Sequence, residues 1–344
     1  MKEDRDLSFD AFRGLAIIAV VAIHATYFGG SPYCIGFIPY RQLLNAAVPA
    51  LFFMSGYWAS KKPIKSLGDY NTFLMRKLSR ILLPYLFWSF VLLGYSAVKK
   101  GDINGYRIIY ILLTGGACMG YYFVIVIAQF YVLTPLLQYV NRKLGWYGLV
   151  SVLIFNLASL FVLYLSRLFN VIWHLPAALP FYSWIIYYEI GLFTSDRHRE
   201  VLTTPKMRFG ILFAILVSWL ISVLEAAIIL SKYDNPVYAA SVVKYSSFLY
   251  SICVILGFIF ARGYFRRLPG LLSTIGYYSF GIYLIHIIIL GQIVKFFQEI
   301  RAISSFQPLY QLILIVVTTL ICFVIISIAR KLLPASFCSR VLGF

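Results

Sequence analysis

Arg13 and His24 are the only two strongly polar side chains in the body of the first long apolar segment, DAFRGLAIIAVVAIHATYF, and eleven residues separate them. On an α-helix, eleven steps of about 100° return to within roughly 20° of the start and rise about 16 Å. The two side chains therefore share one stripe at two depths. An ionisable group inside a bilayer costs about 2.5–3.5 kcal/mol on insertion scales and needs a buried or watery partner. Such a stripe suggests a site that handles something at both levels. Asp10 lies three residues before Arg13, close enough on a helix for an ion pair. His24 lies beyond the reach of that pair, as a lone titratable imidazole deeper in the membrane. An interfacial ion pair and a histidine with a structural hydrogen bond satisfy the same spacing.

Three further groups carry candidate chemistry. In MRKLSRILLPY, the cations Arg76, Lys77 and Arg80 fall within one and a half turns, with Lys77 and Arg80 on a shared face. Such a cluster holds phosphate by charge-assisted hydrogen bonds, or it anchors the chain at the inner side of a membrane. Pro84 follows inside the same apolar run and is expected to kink it. In SFGIYLIH, Ser279, Tyr283 and His286 form a polar edge at i, i+4 and i+7, with His286 at a depth comparable to His24. The two histidines are candidates to flank one cavity, and a structural hydrogen bond for His286 is the competing role. Glu189 lies within an apolar segment, as a partner for a basic residue or as a member of the site. Glu225, near the end of another segment, is expected at the interface and solvated.

The elements that position these residues are membrane helices. Of the 344 residues 61% are hydrophobic and only 12% charged, against about 25% charge in a soluble domain. Ten apolar stretches, roughly 9–28, 43–60, 79–98, 119–139, 147–166, 181–194, 209–231, 245–262, 274–294 and 309–331, approach the length of about 20 residues that crosses a bilayer. The expected fold is all-α: a single polytopic domain, a bundle of about ten transmembrane helices with no separate soluble domain. MKEDRDLSF runs straight into the first span with no small-residue cleavage site, so no cleavable signal is expected.

The net charge of +18 invites a nucleic-acid function, but its distribution argues against one. With the amino terminus inside, twenty basic residues fall in inner segments and nine, Arg41 and Lys244 among them, in outer loops. That bias reports topology and puts both termini in the cytoplasm. The segment 99–118, with its short apolar run between glycines, is expected to be interfacial or re-entrant. HLPAALP at 174–180 reads as an outer loop. Five cysteines show no metal-like spacing, so no metal site is expected. Cys253 and Cys322 read as apolar packing, while Cys34 and Cys118 fall on the same side and are a weak candidate pair.

Together these segments resemble the acyltransferase-3 family of integral membrane acyltransferases. FDAFRGLAIIAVVAIH is similar to its first helix, VPALFFMSGYW to its second, RKLSRILLPY to the basic start of its third, and SFGIYLIH to its late histidine signature. The resemblance covers nearly the whole chain. It implies transfer of an acyl group, most often acetyl, from cytoplasmic acyl-CoA to a hydroxyl of an extracytoplasmic or lipid-linked glycan. His24 would be catalytic, and Asp10, Arg13, Arg76, Lys77 and Arg80 would serve the donor. Ser279, Tyr283, His286 and Glu189 would line the site. Acyl-CoA would be a co-substrate with no permanently bound cofactor, and the protein would sit in the plasma (inner) membrane. Lys77 departs from the family's usual arginine, which keeps the charge but loses the bidentate fork. YYFVIVIAQFY lacks the tryptophan often found there. No esterase-like domain follows the last span, so an acceptor would reach the membrane site directly or through an envelope-biosynthesis partner protein. A glycan or lipid transporter without covalent chemistry fits the composition equally well, but no inverted repeats or paired broken helices stand out.

Overall fold

The computed structural model describes residues 6–28, 37–61, 63–100, 104–168, 178–196, 204–299 and 308–344, and every regular element among them is helical. The chain forms two compact units, one from residues 1–51 and 199–327, the other from 52–198 and 328–344. The first unit holds α1 (Leu7–Phe28), α2 (Ile38–Leu43), a 3-10 turn at Leu44–Ala46, α9 (Pro205–Tyr233), α10 (Pro236–Ala239), α11 (Tyr245–Phe265), α12 (Gly270–Tyr277) and α13 (Ser279–Glu299). The second holds α4 (Leu67–Lys100), α5 (Gly105–Thr114), α6 (Tyr122–Leu144), α7 (Trp146–Leu168) and α8 (Ile185–Asp196). Both unit boundaries within described residues fall inside helices, α3 (Ala47–Ser60) and α14 (Pro308–Leu332).

Among the described residues, eight helices are long and apolar enough to cross a membrane: α1, α4, α6, α7, α9, α11, α13 and α14. Their exposed faces are apolar. Along α9, Phe209, Leu212, Phe213, Leu216, Leu220 and Leu224 are exposed at helical spacing, the reverse of a soluble helix and the pattern of a lipid-facing one. The other two expected spans are shorter helices. The segment 43–60 contains the 14-residue α3 behind its 3-10 turn, and 181–194 contains a 3-10 turn and the 12-residue α8. At 1.5 Å per residue they reach only about 21 and 18 Å.

Glycines let these short helices pack backbone to backbone. A Cβ on Gly56 of α3 would lie 2.0 Å from the carbonyl oxygen of Tyr188 on α8, and one on Gly191 of α8 would lie 2.1 Å from that of Phe53. The first unit repeats the device. Gly14 of α1 would meet the Leu272 carbonyl oxygen at 2.2 Å, and Gly276 of α12 that of Asp10 at 1.8 Å. Only glycine permits such crossings. Gly14, directly after Arg13, is thus a packing residue that seats α1 on α12.

α1 begins at an aspartate cap. Asp6 Oδ1 accepts from the backbone N–H of Ser8 at 3.1 Å and of Phe9 at 3.4 Å, satisfying orphan donors of the first turn. Arg262 of α11 pairs with the same carboxylate and donates to Ser8 Oγ at 3.2 Å. The far end of α1 packs on α13 and α14 through Ala25, Leu290, Val294, Tyr310 and Leu314.

α4 starts twelve residues before the apolar run that announces it. A reciprocal cap explains the early start: Ser66 Oγ accepts from Asp69 N, and Asp69 Oδ2 accepts from Ser66 N, both at 3.1 Å. Arg76, Lys77 and Arg80, expected at a helix end, therefore lie inside a continuous 34-residue helix with Pro84 buried in its interior. Between α4 and α6, α5 exposes Tyr106, Ile109, Tyr110 and Leu113 on one face, the character of an interfacial helix. It is capped by Asn104 and closed by Gly115 at φ +73°. Residues 174–177 of the proline-punctuated loop and Cys34 lie outside the described residues, and Cys118 carries a free thiol.

Candidate active site

The two histidines singled out from the sequence lie side by side in the first unit. α1 carries His24 and α13 carries His286, 7% and 1% exposed, with ring centroids 5.1 Å apart and planes tilted by 51°. His286 Nδ1 faces two carbonyl oxygens, Tyr283 at 2.7 Å and Ile282 at 3.1 Å. Only a protonated Nδ1 satisfies both, so Nε2 carries the lone pair. Among the described residues, neither His286 Nε2 nor His24 Nδ1 has a protein hydrogen-bond partner. The helix geometry of α13 thus fixes one imidazole so that its basic nitrogen is spare beside a second imidazole. The Tyr283 ring lies 6.1 Å from that of His286. Ser279 is buried at the start of the same helix.

At the other end of α1, Arg13 pairs with Asp10 at 3.5 Å, with side chains 28% and 9% exposed. This is the i,i+3 pair that the spacing predicts. The rise from Arg13 to His24 is about 16 Å, so the pair does not touch the imidazole.

Beyond His24 lies a polar constellation that the sequence reading spread over outer loops. Arg41 of α2 is 5% exposed, Gln42 1%, Asn45 of the 3-10 turn 0% and Lys244 1%. Arg41 donates to Asn45 Oδ1, and its charge is within electrostatic reach of His24. Gln42 Oε1 is the hub: it accepts from Asn45 Nδ2 at 2.8 Å, Ser222 Oγ at 2.8 Å and Lys244 Nζ at 3.1 Å. Its amide donates to the Ala239 carbonyl at 3.0 Å, which Lys244 also reaches at 3.0 Å. Trp219 Nε1 on the Pro39 carbonyl and Tyr250 Oη on the Leu43 carbonyl pin α2 to α9 and α11. Glu225, expected to be solvated, is half-buried, and its carboxylate accepts from both the backbone N–H and the hydroxyl of Ser246. Burial pushes the Lys244 ammonium down to about 8; Glu225 counters that shift and Arg41 adds to it.

Local pattern held a signal for these residues. Arg41, Gln42 and Asn45 recur at i, i+1 and i+4 between apolar neighbours, and Ser247 and Ser251 stand at i, i+4 just after Lys244. Polar residues at helical spacing beside a span mark a buried face more than a loop.

In the second unit, Arg76 and Arg80 are exposed on α4, and Lys77 is half-buried with its ammonium 5.6 Å from the centroid of the Tyr131 ring and 6.0 Å from that of Phe73. Glu189 is fully buried on α8. The hydroxyl of its neighbour Tyr188 shares a 2.7 Å hydrogen bond with Thr134 of α6.

The model of the acyltransferase-3 family, described as an acyltransferase domain, matches residues 6–327. The chain belongs to this family. That range takes in α1 with Asp10, Arg13 and His24, the basic run of α4, and α13 with His286. The protein is a multi-pass membrane acyltransferase. No curated protein and no solved structure matches this acyltransferase-3 chain.

Proposed function

We propose that the protein moves an acyl group, acetyl in the first instance, from cytoplasmic acyl-CoA to a hydroxyl of an extracytoplasmic or lipid-linked glycan, from a place in the plasma (inner) membrane with both termini in the cytoplasm. The observation that carries this reading is the buried His24–His286 pair, one α1 rise of about 16 Å from Arg13. His24 takes the proton of the acceptor hydroxyl as its oxygen attacks the thioester carbonyl. The carbon–sulfur bond then breaks, and the departing thiolate takes that proton from the imidazolium. His286 positions His24: its Nδ1–H is held by backbone carbonyls, and its Nε2 lone pair stands beside the second ring. In the first unit Arg13, oriented by Asp10, serves the polyanionic donor; in the second unit Arg76, Lys77 and Arg80 are cations of the kind that holds its phosphates. Ser279 and Tyr283 of α13 line the site on the first unit, and Glu189 is the second unit's own candidate. Permanently bound cofactors have no part in this scheme, and an envelope-biosynthesis protein that delivers the glycan is its natural partner.

Turnover of acetyl-CoA by the purified protein in detergent tests the reaction class, because a transporter hydrolyses or transfers nothing. Mass spectrometry of surface glycans from a deletion strain tests the acceptor: loss of an acyl mark supports the reading, and an unchanged glycan profile overturns it. Alanine at Arg13, Lys77 or Arg80 is expected to weaken acyl-CoA binding in calorimetry. Unchanged donor affinity in all three would reduce them to topological anchors.

A further inference from the structure

Where α1 starts, the ends of α9 and α11 gather cations on open surface. Lys206 and Arg208 lie in the first turn of α9, Arg266 caps α11 and Arg267 follows it; all four are exposed. A helix dipole disfavours positive charge in a first turn, and no acid lies in that turn of α9. Two of the guanidinium groups converge on one ring. Arg208 donates to the Tyr264 hydroxyl with its Cζ 5.2 Å from the ring centroid, and the Arg267 Cζ lies 6.0 Å from the same centroid. Stacking of this kind holds a planar fork in place. Among the described residues Lys206, Arg266 and Arg267 form no salt bridge, while Arg262, one turn before Arg266, is paired with Asp6. The apolar stripe of α9 begins one residue after Arg208, with Phe209, Leu212, Phe213 and Leu216 exposed.

We propose that this patch is a binding site for an anionic phospholipid, its phosphate held by Arg208 and Arg267 and its acyl chains laid along the α9 stripe. Arginine forks match phosphate oxygens, and basic groups at the ends of membrane helices take anionic headgroups. A soluble phosphate would answer the cations equally, but only a lipid also covers the apolar stripe that adjoins them. The site is surface, so the headgroup needs no enclosed cavity. Binding also bears on α1. Arg262, in the last turn of α11, holds the Asp6 cap. Phe258 and Phe265 of α11 pack on Phe12 of α1, with ring centroids 4.1 and 5.6 Å away. A lipid that ties the end of α11 to the start of α9 steadies the seat of the helix that carries Arg13 and His24. On the proposed topology the patch meets the cytoplasmic leaflet; the binding itself does not rest on the transferase reading.

The experiment uses the full chain, delipidated in non-ionic detergent and titrated with phosphatidylglycerol or phosphatidylcholine of matched chains. Thermal unfolding and native mass spectrometry are the readouts. Phosphatidylglycerol is expected to raise the unfolding midpoint saturably and to stay bound in the mass spectrum, and phosphatidylcholine to do neither. The double variant Arg208→Gln, Arg267→Gln should bind phosphatidylglycerol roughly 10- to 30-fold more weakly, the effect of two cations at a headgroup. Lys331→Gln with Arg340→Gln removes as many exposed charges elsewhere and should keep the affinity within about twofold. Equal responses to the two lipids, or undiminished affinity in the double variant, overturn the site. An equal loss in the control variant reduces it to diffuse attraction and overturns it too. Inorganic phosphate or coenzyme A that displaces the lipid at equal concentration hands the cations to a soluble anion, against the proposal. Should the double variant fail to fold, Arg267→Gln alone and the salt response of wild type decide. Affinity for phosphatidylglycerol should fall between about 0.05 and 0.5 M sodium chloride as screening shortens, and a salt-independent affinity would contradict a headgroup held by charge.

Discussion

The two ends of the first unit use the same kinds of charge in opposite ways. At the start of α1, Arg262 meets Asp6 and Arg13 meets Asp10, cation against carboxylate. At the other end, Lys244 meets an amide oxygen and a carbonyl, and Arg41 donates to the Asn45 side-chain oxygen. The first arrangement completes itself and holds the helices together. The second answers a buried ammonium with neutral oxygens alone and, among the described residues, leaves His24 Nδ1 and His286 Nε2 without a hydrogen-bond partner. Charge inside a membrane protein is therefore informative by its partners more than by its presence.

Substitutions at the two ends sharpen or break this contrast. The largest effect belongs to His24→Ala, expected to lower glycan acylation in cells roughly 10²- to 10⁴-fold with unchanged membrane abundance. Near-normal acylation would remove His24 from the chemistry. Next, Gly276→Ala drives a Cβ into the Asp10 carbonyl and is expected to cost about 1–3 kcal/mol or more as α1 and α12 separate, read as a lower midpoint of thermal unfolding. Asp6→Asn keeps the helix cap but removes the charge opposite Arg262. Both side chains are partly exposed, 22% and 26%, so the loss is about 1 kcal/mol. Lys244→Met, at the other end, should shift unfolding by less than about 1 kcal/mol or raise stability, because an apolar group replaces a poorly compensated buried cation.

The pH responses should also diverge. Burial raises the Asp6 carboxyl, but the Ser8 hydrogen bond and the Arg262 charge outweigh it and hold the group below its ordinary 3.8. Its contribution is present above that value and is lost as acid protonates the folded carboxyl. Lys244 is pushed down from 10.5 to about 8. Between those values the unfolded chain keeps the proton and the folded chain has released it, so stability rises with pH through that window. Melting curves at pH 7 and 10 in wild type and Lys244→Met check this, and the alkaline gain should vanish in the variant.

Much of this molecule is legible in its sequence because hydropathy reports lipid-facing helices directly. The eight long spans follow from that signal alone, as do the Asp10–Arg13 pair and the matching depths of His24 and His286, since ionisable groups amid apolar residues are conspicuous. What was hidden depends on tertiary closure. α3 and α8 pass as spans on composition, but glycine crossings let helices of 14 and 12 residues pack without spanning length. The 274–294 stretch breaks at Tyr278 into α12 and α13, which no periodicity signalled. Arg41 and Lys244 lie beside span ends, where positive charge ordinarily marks topology. Their burial comes from α2 closing onto α9, α10 and α11, with the Gln42 hub joined to Ala239 and Lys244 across 197 and 202 residues of sequence.

The contrast between the ends reduces to one paired measurement, acetyl-CoA turnover and thermal unfolding on the same purified His24→Ala and Asp6→Asn proteins. The account predicts a double dissociation: His24→Ala loses roughly 10²-fold or more of turnover with an unfolding midpoint close to wild type, and Asp6→Asn unfolds earlier with turnover within a few-fold of wild type. Full turnover in His24→Ala, or a collapse of turnover in a still-folded Asp6→Asn, would contradict it.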